Sequence, residues 1–222
     1  MSEVPEKRIV HFYIDGFNFY FGLRRIADYK PDWRKFYWID LVKLCSEFLS
    51  DNEVLGKVTY FTARPKGRDK MERQNIFLNC NRRLNPELLE VVYGRYSNKE
   101  LKCNAKGGCR KNYNDLEEKE TDVNLAIQMV IDAYDKVCDK MVLISGDTDF
   151  VPPLKIIKSR HTHVQTMILF PPGHYSAHLS QICPNNKALE KYKPKWNRAI
   201  LPDNVMVEGK TFIKPTSWSV KK

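Results

Sequence analysis

Apolar positions along the chain alternate between two periodicities. Ile9-Val-His-Phe-Tyr-Ile14 is a short apolar run that stops at Asp15-Gly16, and Asn18 opens a helical pattern through Arg25. Runs of that length read as strands when they end in turn residues, and 3–4 spacing reads as helix. The same reading predicts a helix over 40–50, a strand over 57–62, a cationic helix over 69–81 and a strand over 89–95. Residues 96–114 are polar and basic around Gly107-Gly108, which suggests a hairpin or loop excursion. A strong helix follows, with Thr121 as its expected N-cap. Val123, Ala126, Ile127, Val130, Ile131 and Tyr134 fall on its apolar spacing. Strands over 141–144 and 164–170 flank a helix over 150–159, whose first turn accommodates Pro152 and Pro153. Residues 177–183 suggest a short helix. Strand and helix alternate throughout, so the economical fold is α/β, a parallel sheet with helices on both faces. Residues 1–186 form one domain on this reading, with the excursion at 96–114. Residues 187–222, with Trp196, Trp218 and three prolines, read as a basic C-terminal arm.

Composition narrows the class. With 222 residues the chain is long enough to bury a core without staples. No apolar stretch approaches the roughly 18 residues of a membrane span, and no signal peptide is visible, so the expectation is a soluble, cytoplasmic protein. Lys and Arg number 37 against 27 Asp and Glu, a net charge of +10. The excess is clustered, with seven cations against two acids over 64–83 and nine against three over 187–222. Clustered cations suit a polyanion, because each neutralised phosphate releases counterions. The six cysteines lack any CxxC spacing. Cys45, Cys80 and Cys138 read as core fillers, while Cys103 and Cys109 read as thiols or, less economically, half of a zinc knuckle lacking its second pair.

The acids carry the chemistry. Asp15 follows the first strand, Asp147 and Asp149 follow the strand at 141–144, and Asp122 opens a helix behind Glu117, Glu118 and Glu120. Ligands bind outside the carboxyl ends of strands in open parallel sheets, so these acids can converge. Clustered carboxylates repel unless a cation sits among them, and hard oxygen donors favour Mg²⁺ or Mn²⁺. Taken singly, each of these acids is equally well read as a turn or helix cap.

Three segments together, Tyr13-Ile-Asp15-Gly-Phe-Asn18-Phe-Tyr20, Glu118-Lys-Glu-Thr-Asp122-Val-Asn-Leu-Ala126 and Ser145-Gly-Asp147-Thr-Asp149-Phe150, resemble the NYN domain family, a branch of the PIN-like nuclease superfamily. The resemblance runs from about residue 8 to 183. It implies a PIN-like α/β fold and a divalent-metal-dependent endoribonuclease, with Asp15, Asp122, Asp147 and Asp149 as the catalytic and metal-binding set. By the same resemblance Asn18 accompanies the first aspartate, and Ser145 and Thr148 steady the acids or touch phosphate. Glu118 either joins the pocket or favours the positive helix terminus. The sequence departs from many relatives at Glu120, where they carry glycine. A homodimer is a further implication of the resemblance.

Arg24, Arg25, Arg64, Lys66, Arg68, Arg73 and Lys119 are candidate phosphate contacts for single-stranded or structured RNA. Phe17, Phe19, Tyr20 and Phe21 divide between core packing and stacking on an unpaired base. His174 and His178 read as surface or phosphate contacts. Two other function classes compete with the nuclease: a catalytically silent module that binds RNA or a partner, and a metal-dependent enzyme on a small phosphorylated or aromatic substrate. The retained acids argue against the first and the basic surface against the second.

Overall fold

The computed structural model describes residues 6–102 and 112–219, and of residues 96–102 and 112–118 the backbone. Six parallel strands form the central sheet: β1 (Arg8–Asp15), β2 (Glu53–Thr62), β3 (Leu89–Tyr93), β6 (Lys140–Ile144), β7 (Gln165–Phe170) and β8 (Asn186–Ala188). Their order is β3-β2-β1-β6-β7-β8. The chain therefore winds outward from β1 in one direction, then returns and winds outward from β6 in the other. The carboxyl ends of β1 and β6 flank the point where the winding reverses.

Alternation along each strand divides the core between two faces. Val10, Phe12 and Ile14 of β1 join Val142 and Ile144 of β6 and Met167 and Leu169 of β7 on one side. That face is covered by α1 (Gly16–Tyr29), α2 (Leu41–Ser46) and α3 (Arg68–Leu84). Tyr13, Met141, Leu143, Ile168 and Phe170 point the other way, beneath α4 (Thr121–Tyr134), α5 (Val151–Arg160) and α6 (Ala177–Ile182). Between β3 and α4, β4 (Arg95–Lys102) and β5 (Asn112–Lys119) pair antiparallel as a separate two-stranded ribbon. This is the predicted excursion in hairpin form. Cys103 and Cys109 lie outside the described residues.

Two expectations need correction. Residues from 187 onward are not a detached arm. The segment contributes β8 to the sheet, then α7 (Lys193–Arg198) and a hairpin of β9 (Asn204–Val207) and β10 (Lys210–Ile213). Trp196 is fully buried, stacked on Phe19 with centroids 5.6 Å apart, and Trp218 packs edge-on against Phe77. Prolines and charge masked a set of large apolar residues whose partners lie far away in the chain. The other correction concerns α4. Its inward line is Leu125, Met129 and Ala133, whereas Val123, Ile127 and Ile131 are 58%, 51% and 45% exposed. The helix is apolar on most sides, so 3–4 spacing fits two neighbouring lines and cannot choose between them.

At the opposite edge of the sheet, Glu53 and Lys140 are buried as an ion pair at 3.0 Å, with Arg8 2.9 Å from the same carboxylate. Burial alone would raise the Glu53 carboxyl. The Ser50 amide, Lys140 and Arg8 outweigh it and hold the group below its ordinary 4.5. A depressed carboxyl stabilises the fold above its unfolded value and loses that contribution as pH falls through the folded one. Glu53→Gln is therefore expected to cost about 2 kcal/mol at pH 7. Melting curves from pH 7 to 3 check this, since the gap from wild type should close below about pH 4.5.

Candidate active site

Each site residue is set by the local structure of its strand end. Asp15 closes β1 and caps α1, its Oδ1 accepting from the Asn18 amide at 3.0 Å. Its Oδ2 accepts from the Ser145 hydroxyl at 2.8 Å, and Ser145 Oγ accepts in turn from the Asp147 amide at 3.0 Å. The Asn18 side-chain oxygen accepts from the Gly146 amide at 3.2 Å. Two independent links thus bind the β1 end to the loop after β6. Asp147 caps the short 3-10 turn Thr148–Phe150 by accepting from the Asp149 amide at 3.0 Å. That turn directs Asp147 and Asp149 toward the first turn of α4, where Asp122 sits.

Among the described residues, Asp122, Asp147 and Asp149 each bring a carboxylate oxygen within 4.8 Å of the others. Asp122 and Asp147 are half-buried and Asp149 is exposed. Asp15 stands outside this trio and is 1% exposed. Burial raises its carboxyl, the Asn18 amide and Ser145 hydroxyl lower it, and the Asp147 charge raises it further; the net shift is upward. Three of the four expected acids therefore face one another, and the buried fourth, Asp15, is tied to Asp147 through Ser145. Asn18 and Ser145 are the residues that hydrogen-bond Asp15 and the loop after β6. Thr148 is exposed beside the acids.

Glu120 does not join the acids, because it pairs with Arg95 at 2.7 Å, and that partner lowers its carboxyl. Its φ of 79° lies in the left-handed region that favours glycine, the residue many relatives carry there. α4 begins at Thr121, so Glu120 occupies the N-cap position expected of Thr121. Glu118 pairs in register with Tyr96 on the ribbon, and its side chain lies outside the described residues.

The expected cations separate. Arg24, Lys66 and Arg73 line one cavity, together with Lys70, which the sequence reading left out. Arg64 places its guanidinium over Tyr93 at 5.7 Å. Arg68 lines a shallow groove between α3 and β10 instead. Lys119 is exposed at the end of β5, three positions before Asp122.

Two glycines were also missed, and His174, read as a surface or phosphate contact, is half-buried. A Cβ on Gly16 would lie 2.6 Å from the Phe61 carbonyl, and one on Gly146 1.9 Å from the His174 carbonyl. Neither position admits a side chain, and both adjoin key acids, which is the signal the sequence did offer. His174 is close enough to Asp147 for its charge to act on the imidazole. Burial and Arg25 nevertheless hold that imidazole below its ordinary value.

The NYN domain family model matches residues 10–188, spanning all of these acids. The chain belongs to the NYN domain family. The family lies within the PIN-like nuclease superfamily, and the parallel α/β sheet accords with that fold. A solved structure of a protein of unknown function from Vibrio parahaemolyticus shares the fold, with a TM-score of 0.56 at 15% identity. It covers 90% of this NYN chain and 100% of the Vibrio chain. By sequence the chain is 29% identical to the 6-hydroxy-3-succinoylpyridine 3-monooxygenase HspA of Pseudomonas putida, over 72% of this chain. The match spans 58% of that relative's length. Among the described residues, no helix of this NYN protein is long and apolar enough to cross a membrane.

Proposed function

We propose that this NYN protein is a cytoplasmic ribonuclease that uses Mg²⁺ or Mn²⁺ to hydrolyse phosphodiester bonds within single-stranded or structured RNA. The observation that carries the reading is the convergence of Asp122, Asp147 and Asp149 at the winding reversal of the sheet. Their donor set suits a hard divalent cation. Oxygens within 4.8 Å of one another span about the width of a shell built from roughly 2.1 Å metal–oxygen bonds. Such an ion, when bound, supplies Lewis acidity and lowers the pKa of water.

The chain's own residues do the rest. Asp15, through Ser145, holds the Asp147 backbone in place, and Asn18 anchors Gly146. Arg24, Lys70 and Arg73 attract the phosphodiester backbone toward the acids. End-labelled mixed RNA incubated with Mg²⁺, with Mn²⁺ and with EDTA tests the reading. Cleavage is expected with either metal, with a fall to background in chelator. Equal cutting in all three would overturn the metal dependence.

A second reading has specific support, since the Pseudomonas relative is named for a pyridine substrate and an aromatic-lined cavity is walled here by Gly16 and Phe17, the residues after Asp15. On that reading the chain is a metal-dependent enzyme acting on a small aromatic substrate. Turnover of a pyridine carboxylate with no RNA cleavage in the same metals would favour it. RNA retention without cleavage or turnover would favour a silent binding module.

A further inference from the structure

One cavity is walled by Gly16 and Phe17, the two residues after Asp15, and has a volume of about 380 Å³. Pockets for small organic groups span roughly 300–1,000 Å³. Much of its wall is aromatic. Phe17 and Phe21 lie nearly parallel, centroids 6.3 Å apart and planes 14° from one another, and Phe21 is 47% exposed. Tyr37 meets Trp218 edge-on at 6.1 Å across the same cavity. Arg24, Lys70 and Arg73 add positive charge to the lining.

Gln74 supplies an independent observation. Its Nε2 donates to Thr62 Oγ1 at 3.1 Å and to the Ala63 carbonyl at 3.0 Å. A carbonyl only accepts, so the orientation of the amide is determined. Its Oε1 is buried and has no hydrogen-bond partner among the described residues. Gln74 also lines the cavity. Buried acceptors are rarely left unmade, and this one calls for an N–H or O–H donor.

We propose that the cavity receives one unstacked nucleobase of the RNA strand. The base lies against the Phe17 and Phe21 rings, donates an edge N–H to Gln74 Oε1, and leaves its flanking phosphates with Arg24, Lys70 and Arg73. This rests on the nuclease reading of the acids and adds to it a base-sized subsite walled by Gly16, the residue after Asp15. Every nucleobase has a π face and an N–H donor, so the aromatic wall and the unmade acceptor are used together. The phosphates on either side account for the cations.

The test is equilibrium binding of the full chain to short single-stranded RNA in EDTA, so that cleavage does not enter. One position at a time is made abasic or replaced by difluorotoluene, which keeps the shape of a base but has no N–H. For wild type, one abasic position is expected to weaken binding about tenfold, the size of one lost stacking contact. The isostere at that position should fall between abasic and natural RNA. Phe21→Ala should weaken natural RNA about tenfold and leave the abasic strand unchanged. Phe21 is exposed enough for the variant to fold, which circular dichroism checks. Equal affinity for natural and abasic strands at every position, or an unaffected Phe21→Ala variant, would overturn the subsite while leaving metal-dependent cleavage untouched. A free pyridine carboxylate that quenches tryptophan fluorescence, with no RNA binding at all, would overturn both the subsite and the nuclease reading.

Discussion

Asp147→Asn is expected to reduce metal-dependent RNA cleavage by at least about 100-fold. Even residues that only support metal ligands cost roughly 10–100-fold when altered, and Asp147 is one of the three facing carboxylates. The substitution removes a charge with little change of shape. The Asp147 Oδ1 accepts from the Asp149 amide at the start of a 3-10 turn, and an asparagine oxygen fills that role about as well. Unfolding should therefore stay within about 1 kcal/mol of wild type, which separates lost chemistry from lost structure. Asp15→Asn is a poorer test. Asp15 is buried, with both oxygens accepting, from Asn18 and from Ser145, so an amide there would disturb the brace itself. Cleavage of end-labelled RNA in Mg²⁺ and Mn²⁺, beside a melting curve for each protein, gives both readouts. Wild-type cleavage by Asp147→Asn would remove the central acid from the mechanism.

Trp196→Ala should destabilise the whole domain by about 3–5 kcal/mol. Trp196 is 0% exposed, stacks on Phe19, and contacts Trp33 and Phe36 edge-on or tilted. Its Nε1 donates to the Leu189 carbonyl at 2.9 Å, so the substitution leaves a cavity and an unmade bond together. For a chain of this size each kcal/mol lowers Tm by about 2–4 °C, giving a fall of about 6–20 °C. A detached arm would instead give a change within about 0.5 kcal/mol. Thermal unfolding followed by circular dichroism distinguishes the two. Phe19 belongs to α1, which Asp15 caps, so loosening the Trp196 contact should also reduce cleavage.

Much of the site was legible because its chemistry is local. Asp15, Asp147 and Asp149 sit at strand ends, and strand ends are marked by apolar runs that stop at turn residues. In a parallel sheet those ends share one side, so the acids could converge, and the placing of β6 beside β1 brings them near. Asn18 and Ser145 were legible for the same reason, each lying within three positions of an acid it supports. Glu120 was visible only as an extra acid; its role depends on Arg95, twenty-five positions away.

The parts that stayed hidden depend on distant partners. Lys70 and Arg68 lie two positions apart on α3, yet Lys70 lines the aromatic cavity and Arg68 faces β10. Successive helical positions two apart point to different sides, and charge counting is blind to that. His174 approaches Asp147 only because Gly146 admits the backbone after β7.

The amino-acid sequence by itself determined the strand and helix alternation, the parallel sheet and the chain positions of the four aspartates. Periodicity and turn chemistry act over a few residues and are written along the chain. Tertiary structure alone decided that Asp15 is buried and tied through Ser145 to Asp147, which line of α4 is buried, and that Trp196 and Trp218 complete the core. Those outcomes depend on packing between residues far apart in sequence, where burial selects among contacts that local pattern leaves equal.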